Sequence, residues 1–310
     1  MIPSAETFNG SFPFTAQFST APGFNMHYVD EGDGPVVVCL HGEPTWGYLF
    51  RHLITGLSDR NRVIVPDHMG FGKSETPADR TYWLQDHVDN LEKFIIDLDL
   101  RDITFILHDF GGPVGMGFAA RHPDRIARII SVNGPTPFGQ PDLFQLLEAN
   151  AKDAPWFQWI LQAESQGKLD QVLNELHYHI LSTLKLNGFE QNDLITDTWI
   201  EAYRSPFSTA EECMGALGWA KGFAIGTHIF EAPGEEVRMR LSKVPALAIW
   251  GEKDKTLQAK HFIPLFKSAF PDGLVHKLEK AGHYSLEDAP EAILTLIRQF
   301  LQLHTLQLTK

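Results

Sequence analysis

The sequence predicts an α/β fold: a mostly parallel sheet flanked by helices, with a helical cap inserted between two of the later strands. Three observations carry this prediction. Short apolar runs rich in β-branched residues and free of alternation, such as Pro35–Leu40 and Ile103–Leu107, suit strands buried on both faces. Helix-compatible stretches separate those runs along both ends of the chain. From Pro135 to about Glu231 the buried runs stop, and helical patterns rich in Trp, Phe, Leu and Gln replace them.

The elements follow in order. Phe18 to Val29 reads as a β-hairpin turning at Ala21-Pro-Gly23, with a second turn at Glu31–Gly34. The strand Pro35–Leu40 runs into a Gly- and Pro-punctuated loop, His41 to Arg51, which opens a helix ending near Gly56. Arg62–Pro66 is a short strand followed by the loop Asp67–Ser74, and Leu84–Leu98 has the three-and-four apolar spacing of an amphipathic helix. The strand Ile103–Leu107, the helix Val114–Arg121 and the strand Arg125–Asn133 complete the first half. Helical patterns then recur at Leu143–Asn150, Trp156–Gln162, Asp170–Leu184 and Thr196–Tyr203. The sheet resumes at Val244–Trp250 and Leu274–Leu278, and the helix Glu291–His304 closes it. These textures divide the chain into a core, residues 1–134 and 232–310, and a cap, residues 135–231.

With 310 residues, 43% of them hydrophobic and 21% charged, the chain can bury a large core. Its formal net charge of −13 argues against a nucleic-acid partner, because neutralising phosphates requires clustered Lys and Arg. Cys39 and Cys213 fit buried free thiols, which points to a reducing compartment. The amino-terminal residues lack a basic, apolar leader, and no apolar stretch approaches the roughly 20 residues that span a bilayer. The expectation is a soluble cytoplasmic protein, monomer or homodimer, with no membrane partner.

The chemistry centres on Asp109. It follows the run Ile103–Leu107 and precedes Gly111 and Gly112, so the chain should form a strand, a sharp elbow and a helix with the carboxylate at the tip. An aspartate there can attack carbon only if a base later activates water to remove the ester. Among the 14 histidines, His283 stands out, because Gly282-His283 follows the last strand on the same sheet edge. Asp254, after the strand ending at Trp250, would orient that base, with Glu252 its nearest competitor. Asn133 occupies another strand end but cannot serve as an acid. In the loop His41-Gly-Glu43, the backbone N–H of Glu43 should converge with that of Phe110 on charge developing during ester hydrolysis. His177 and His179 are two apart on a predicted helix, about 200° around the axis, so they do not form a metal site.

His41-Gly-Glu-Pro-Thr-Trp-Gly-Tyr-Leu-Phe-Arg51, Pro66–Ser74, His108-Asp-Phe-Gly-Gly112 and Gly282-His283 together resemble the haloalkane dehalogenases, within the wider α/β-hydrolase group that includes epoxide hydrolases. The resemblance runs from about His27 to Leu301 and is thinner across the cap. It implies the α/β-hydrolase fold and attack by Asp109 on a halogen-bearing carbon of a small apolar substrate, releasing halide. His283, held by Asp254, would then activate water, with no cofactor or metal. The family holds the departing halide with two side-chain N–H donors, one a tryptophan just after the nucleophile; here that position is Phe110. Trp159 falls at the matching place for a cap donor, with Trp156 the runner-up. Epoxide hydrolysis is the alternative, and it uses cap tyrosines; Tyr178 and Tyr203 are available, yet the places expected for the pair carry Phe157 or Trp159 and then Trp219. Epoxide hydrolases also usually carry an aromatic where this loop has Glu43. A non-catalytic ligand-binding homologue is the reading from another class, and the intact set Asp109, Asp254 and His283 argues against it.

Overall fold

The structure, a computed structural model, describes residues 2–138, 143–168, 171, 180–209, 211–224 and 233–306. An eight-stranded sheet organises the chain: β1 (Gln17–Ser19), β2 (Met26–Glu31), β3 (Val36–Leu40), β4 (Arg62–Pro66), β5 (Ile103–Leu107), β6 (Ile126–Val132), β7 (Ala246–Gly251) and β8 (Leu274–Leu278). Their spatial order is β1-β2-β4-β3-β5-β6-β7-β8. β2 pairs antiparallel with both β1 and β4, and every later neighbour is parallel. The short hairpin at one edge thus ends in the parallel sheet that the buried runs predict.

Every residue of β5 is buried, as are Val37 to Leu40 of β3 and all of β7. Strands so covered require helices on the sheet faces. The helices of the first half are α1 (Arg51–Leu57), α2 (Leu84–Asp97) and α3 (Gly111–Arg121), and between β6 and β7 lie α4 (Leu143–Asp153), α5 (Pro155–Ser165), α6 (Ile180–Asn187), α7 (Asp197–Arg204), α8 (Met214–Ala224) and α9 (Glu235–Leu241). Beyond β7 come α10 (Ala259–Ala269), the single turn α11 (Ser285–Asp288) and α12 (Pro290–Leu303). α2 packs on α3, and α1 on α12.

Between β6 and β7 the described residues form helices without a strand, in keeping with the change of texture after Asn133. The predicted helix Asp170–Leu184 lies largely outside the described residues; its end is present as α6. Thr196 caps α7, its hydroxyl accepting from Trp199 N at 3.2 Å, so that helix begins one residue later than its pattern suggests. α9 and α10 were not legible in the sequence. α10 carries Pro264 inside it, and the residue before it, Gln258, offers no side-chain cap. No helix among the described residues is long and apolar enough to cross a membrane.

Parallel strands bring their carboxyl ends to one edge. His41 follows β3, Asp109 follows β5, Asn133 follows β6, Asp254 follows β7 and His283 follows β8. Five loops far apart in sequence therefore meet along one edge of the sheet.

Candidate active site

Asp109 sits in the left-handed region at φ 48°, a conformation that a non-glycine residue adopts at a cost. Its neighbours hold it there. Asp109 N donates to Asn133 O at 3.2 Å, Gly111 N to His108 O at 2.8 Å and Gly112 N to Asp109 O at 2.9 Å, so the elbow closes directly into α3. A side chain at Gly111 would overlap the Leu40 carbonyl of β3, which is why the elbow can lie this close to the sheet.

The Asp109 carboxylate is buried, and its two oxygens face different groups. Oδ1 accepts from Glu43 N at 2.9 Å, and the Phe110 backbone N–H also stabilises the carboxylate. Gly42 is needed for that approach, because a Cβ there would overlap the carboxylate. Oδ2 lies 3.5 Å from His283 Nε2. Burial alone would raise the Asp109 pKa, but the neighbouring imidazole and backbone N–H outweigh it and hold the carboxyl below its ordinary value.

His283 Nδ1 lies 2.9 Å from Asp254 Oδ2. Burial disfavours an imidazolium, yet Asp254 on one side and Asp109 on the other overcome that penalty and raise the His283 pKa to about 10. Asp254 is fixed by three more donors: Thr256 N at 2.8 Å, Leu257 N at 2.7 Å and the Asn133 amide at 2.7 Å. From beneath, His108 Nε2 meets the His283 carbonyl at 3.0 Å. Burial, with His283 alongside, pushes the His108 pKa down to about 3, so this imidazole is neutral and donates there.

Further residues secure the base and acid loops, and sequence reasoning missed them. His283 N donates to Gly188 O at 3.0 Å and Lys255 N to Asn187 O at 3.3 Å. The Asn187 amide donates to Tyr284 Oη at 3.0 Å and receives Thr256 Oγ1 on its oxygen at 3.1 Å. Asp288 accepts Gly282 N at 2.7 Å, Glu190 N at 3.0 Å and Gln191 N at 2.9 Å. The end of α6 is thereby tied to both loops. Gly188, four residues past the predicted helix end at Leu184, was the available signal, since a lone glycine just beyond a helix often marks a left-handed stop.

Next to Asp109 in the chain, the Phe110 ring meets Trp219 edge-on, with centroids 4.2 Å apart. Trp219 is fully buried and gives its indole N–H to His87 Nε2. Trp156 is buried on the stripe of α5 that Ile160 and Ala163 continue. Trp159 is off that stripe and is 49% exposed. Helix rotation, not distance along the chain, decides which of the two tryptophans is buried. The Tyr203 hydroxyl is given to Glu287, which also pairs with Arg51. Tyr178, His177 and His179 lie outside the described residues. Among the described residues no group of three or more His, Cys, Asp or Glu is placed to hold a metal ion.

A family model for the α/β-hydrolase fold matches residues 35–290. The chain is 31% identical over 296 residues to the cis-3-alkyl-4-alkyloxetan-2-one decarboxylase of Shewanella oneidensis, covering 93% of this chain and 89% of that protein. It is 30% identical over 298 residues to a haloalkane dehalogenase of Psychrobacter cryohalolentis, covering 89% and 87%. In structure it is similar to a loop variant of the haloalkane dehalogenase DbeA from Bradyrhizobium elkanii, with a TM-score of 0.76 at 22% identity over 94% of this chain and 97% of that one.

Proposed function

The chain belongs to the α/β-hydrolase fold family, and from that premise we propose that Asp109 attacks a saturated carbon of a small organic substrate, forming an ester that a His283-activated water hydrolyses. The observation that carries this reading is the division of labour at Asp109: Oδ1 held by Glu43 N, Oδ2 turned to His283, and His283 backed by Asp254. On the same reading, residues 135–231 form a cap over this edge of the sheet.

The steps follow from charge. Oδ2 attacks carbon, and the leaving group departs with the bonding electrons. Esterification removes the negative charge from Asp109, one of the two carboxylates that raise the His283 pKa to about 10. The imidazolium then releases its proton to solvent, the net acid of the reaction, and becomes a base. It takes a proton from water as that water adds to the ester carbonyl carbon, whose oxygen Oδ1 already accepts from Glu43 N. Collapse expels the alkoxide, His283 protonates it, and Asp109 is restored.

Haloalkanes are the leading substrate class, on the Gly42-Glu43-Pro44-Thr45-Trp46 loop and the relative from Psychrobacter. One observation favours a second reading. The Phe110 side chain offers no N–H beside the nucleophile, and the Trp219 N–H is committed to His87. A departing halide would miss those donors. An oxetan-2-one ring would not, because its leaving carboxylate stays attached to the carbon skeleton. Loss of carbon dioxide from that carboxylate would then expel Asp109 and leave an alkene, the reaction class that the Shewanella relative's name describes. Mass spectrometry of a His283→Gln variant tests the reading. With 1-bromobutane, a butyl adduct on Asp109 and one equivalent of bromide are expected. A cis-dialkyl oxetan-2-one should instead give alkene and carbon dioxide without an accumulating adduct. If folded protein yields neither with either substrate, nucleophilic attack by Asp109 is wrong.

A further inference from the structure

The molecule carries a second charged site at the other end of the sheet. A cavity of about 310 Å³ opens at the amino ends of β3, β4 and β6, beside Pro35, Asn61 and Arg128 and against the end of α12. Arg128 is 2% exposed. Its Nε donates to Thr104 Oγ1 at 2.8 Å and its Nη1 to His304 O at 2.8 Å, whereas Nη2 has no hydrogen-bond partner. Among the described residues no carboxylate lies within ion-pair distance of it. Burial without a counter-charge pushes its pKa down to about 10. A guanidinium taken out of water in this way is costly unless an anion compensates it, even through space.

The rim adds charge of the same sign. Arg60 and Arg298 line the same cavity, and the single Asp59 is shared between them at 3.8 Å from each. Three guanidinium groups therefore face one exposed carboxylate. Between them Leu57 and Leu301 give the cavity an apolar wall. We propose that this cavity binds a small aliphatic carboxylate, its head neutralising Arg128 and meeting Arg60 and Arg298, its short chain against Leu57 and Leu301. The site is separate from Asp109, which stands at the opposite, carboxyl edge of the sheet.

Thermal unfolding in butyrate, against sodium chloride at equal ionic strength, tests the proposal. At about ten times the dissociation constant, butyrate should raise the melting temperature of the whole protein by about 2–4 °C beyond chloride. That increment should disappear in Arg128→Gln and persist in Asp109→Asn, which separates this site from the one at Asp109. Should Arg128→Gln fail to fold, Arg298→Gln, whose side chain is 47% exposed, is expected to fold and to reduce the increment. No increment over chloride, an increment unchanged in Arg298→Gln, or one lost in Asp109→Asn would overturn the assignment.

Discussion

The Asn133 side-chain amide donates to Asp254 Oδ2 at 2.7 Å, the same oxygen that faces His283 Nδ1 at 2.9 Å. Asn133 is thus no spare acid but a donor to the acid, and its own Oδ1 accepts Gly251 N and Ser285 Oγ. Its φ of 48° suits Asn and Asp alike. Asn133→Asp should keep the backbone while setting two carboxylates against each other. A buried pair of this kind must hold a proton, so the folded-state pKa of the new group is raised and its best stability lies at low pH. Urea unfolding is expected to show a loss of about 2–3 kcal/mol at pH 8 and a smaller one at pH 5. Equal losses at the two pH values would mean that the facing carboxylates do not interact.

Gly188 supplies the carbonyl that receives His283 N. It adopts φ +117°, and a Cβ there would stand 3.2 Å from Lys253 O and Lys255 N and 3.3 Å from His283 N. Gly188→Ala is expected to cost about 1–3 kcal/mol of stability through backbone strain. By shifting the base loop it should also lower kcat about tenfold, with KM little changed. Gly167 provides the control, having φ +65° and nothing within 4 Å of the point a Cβ would occupy. Gly167→Ala should lose stability but keep its turnover; a comparable kcat loss in both variants would sever Gly188 from the positioning of His283.

The sheet was legible because β3 is an uninterrupted apolar run and β5 is broken only by Thr104, and burial on both faces leaves such runs few alternatives. Asp109, Asp254 and His283 could be named because each follows a strand, and parallel strands deliver their ends to one edge. What lay beyond reading depends on contacts across long sequence separations. Nothing near Asp288 in the chain indicates that its carboxylate receives Glu190 N and Gln191 N, nearly a hundred residues away. The inward face of α5 was equally hidden, since Trp156 and Trp159 are alike in composition and differ only in their angle about the helix axis.

Phe110 separates the two substrate readings. Its ring is partly buried against Trp219, at the place where the dehalogenases resembled by this chain carry an indole. Phe110→Trp would put an N–H donor beside the departing group. For chlorinated and brominated alkanes kcat/KM should rise about tenfold, equivalent to about 1.4 kcal/mol of transition-state stabilisation. An oxetan-2-one, which keeps its leaving carboxylate attached, should gain nothing. Halide release that fails to improve in a folded Phe110→Trp protein would remove leaving-group stabilisation as the meaning of this position.

The charge between Asp109 and Asp254 also sets a pH dependence of stability. His283 is raised from its ordinary 6.5 to about 10, so the folded state binds its proton more tightly than the unfolded chain does. The resulting stability is fully present below about pH 6.5, declines above it and is gone once the pH has risen past about 10. Asp109 is shifted down, so its contribution is present above its ordinary value of 3.8 and is lost only as the medium becomes more acidic than that. Across the alkaline range His283 therefore acts without interference from Asp109. In urea unfolding, the stability of the wild type minus that of His283→Gln should be greatest near pH 6 and should shrink steadily toward pH 10. An unchanged difference between those two pH values would mean that His283 is neutral in the resting protein. The imidazole would then be ready to act as a base without the proton release that esterification triggers.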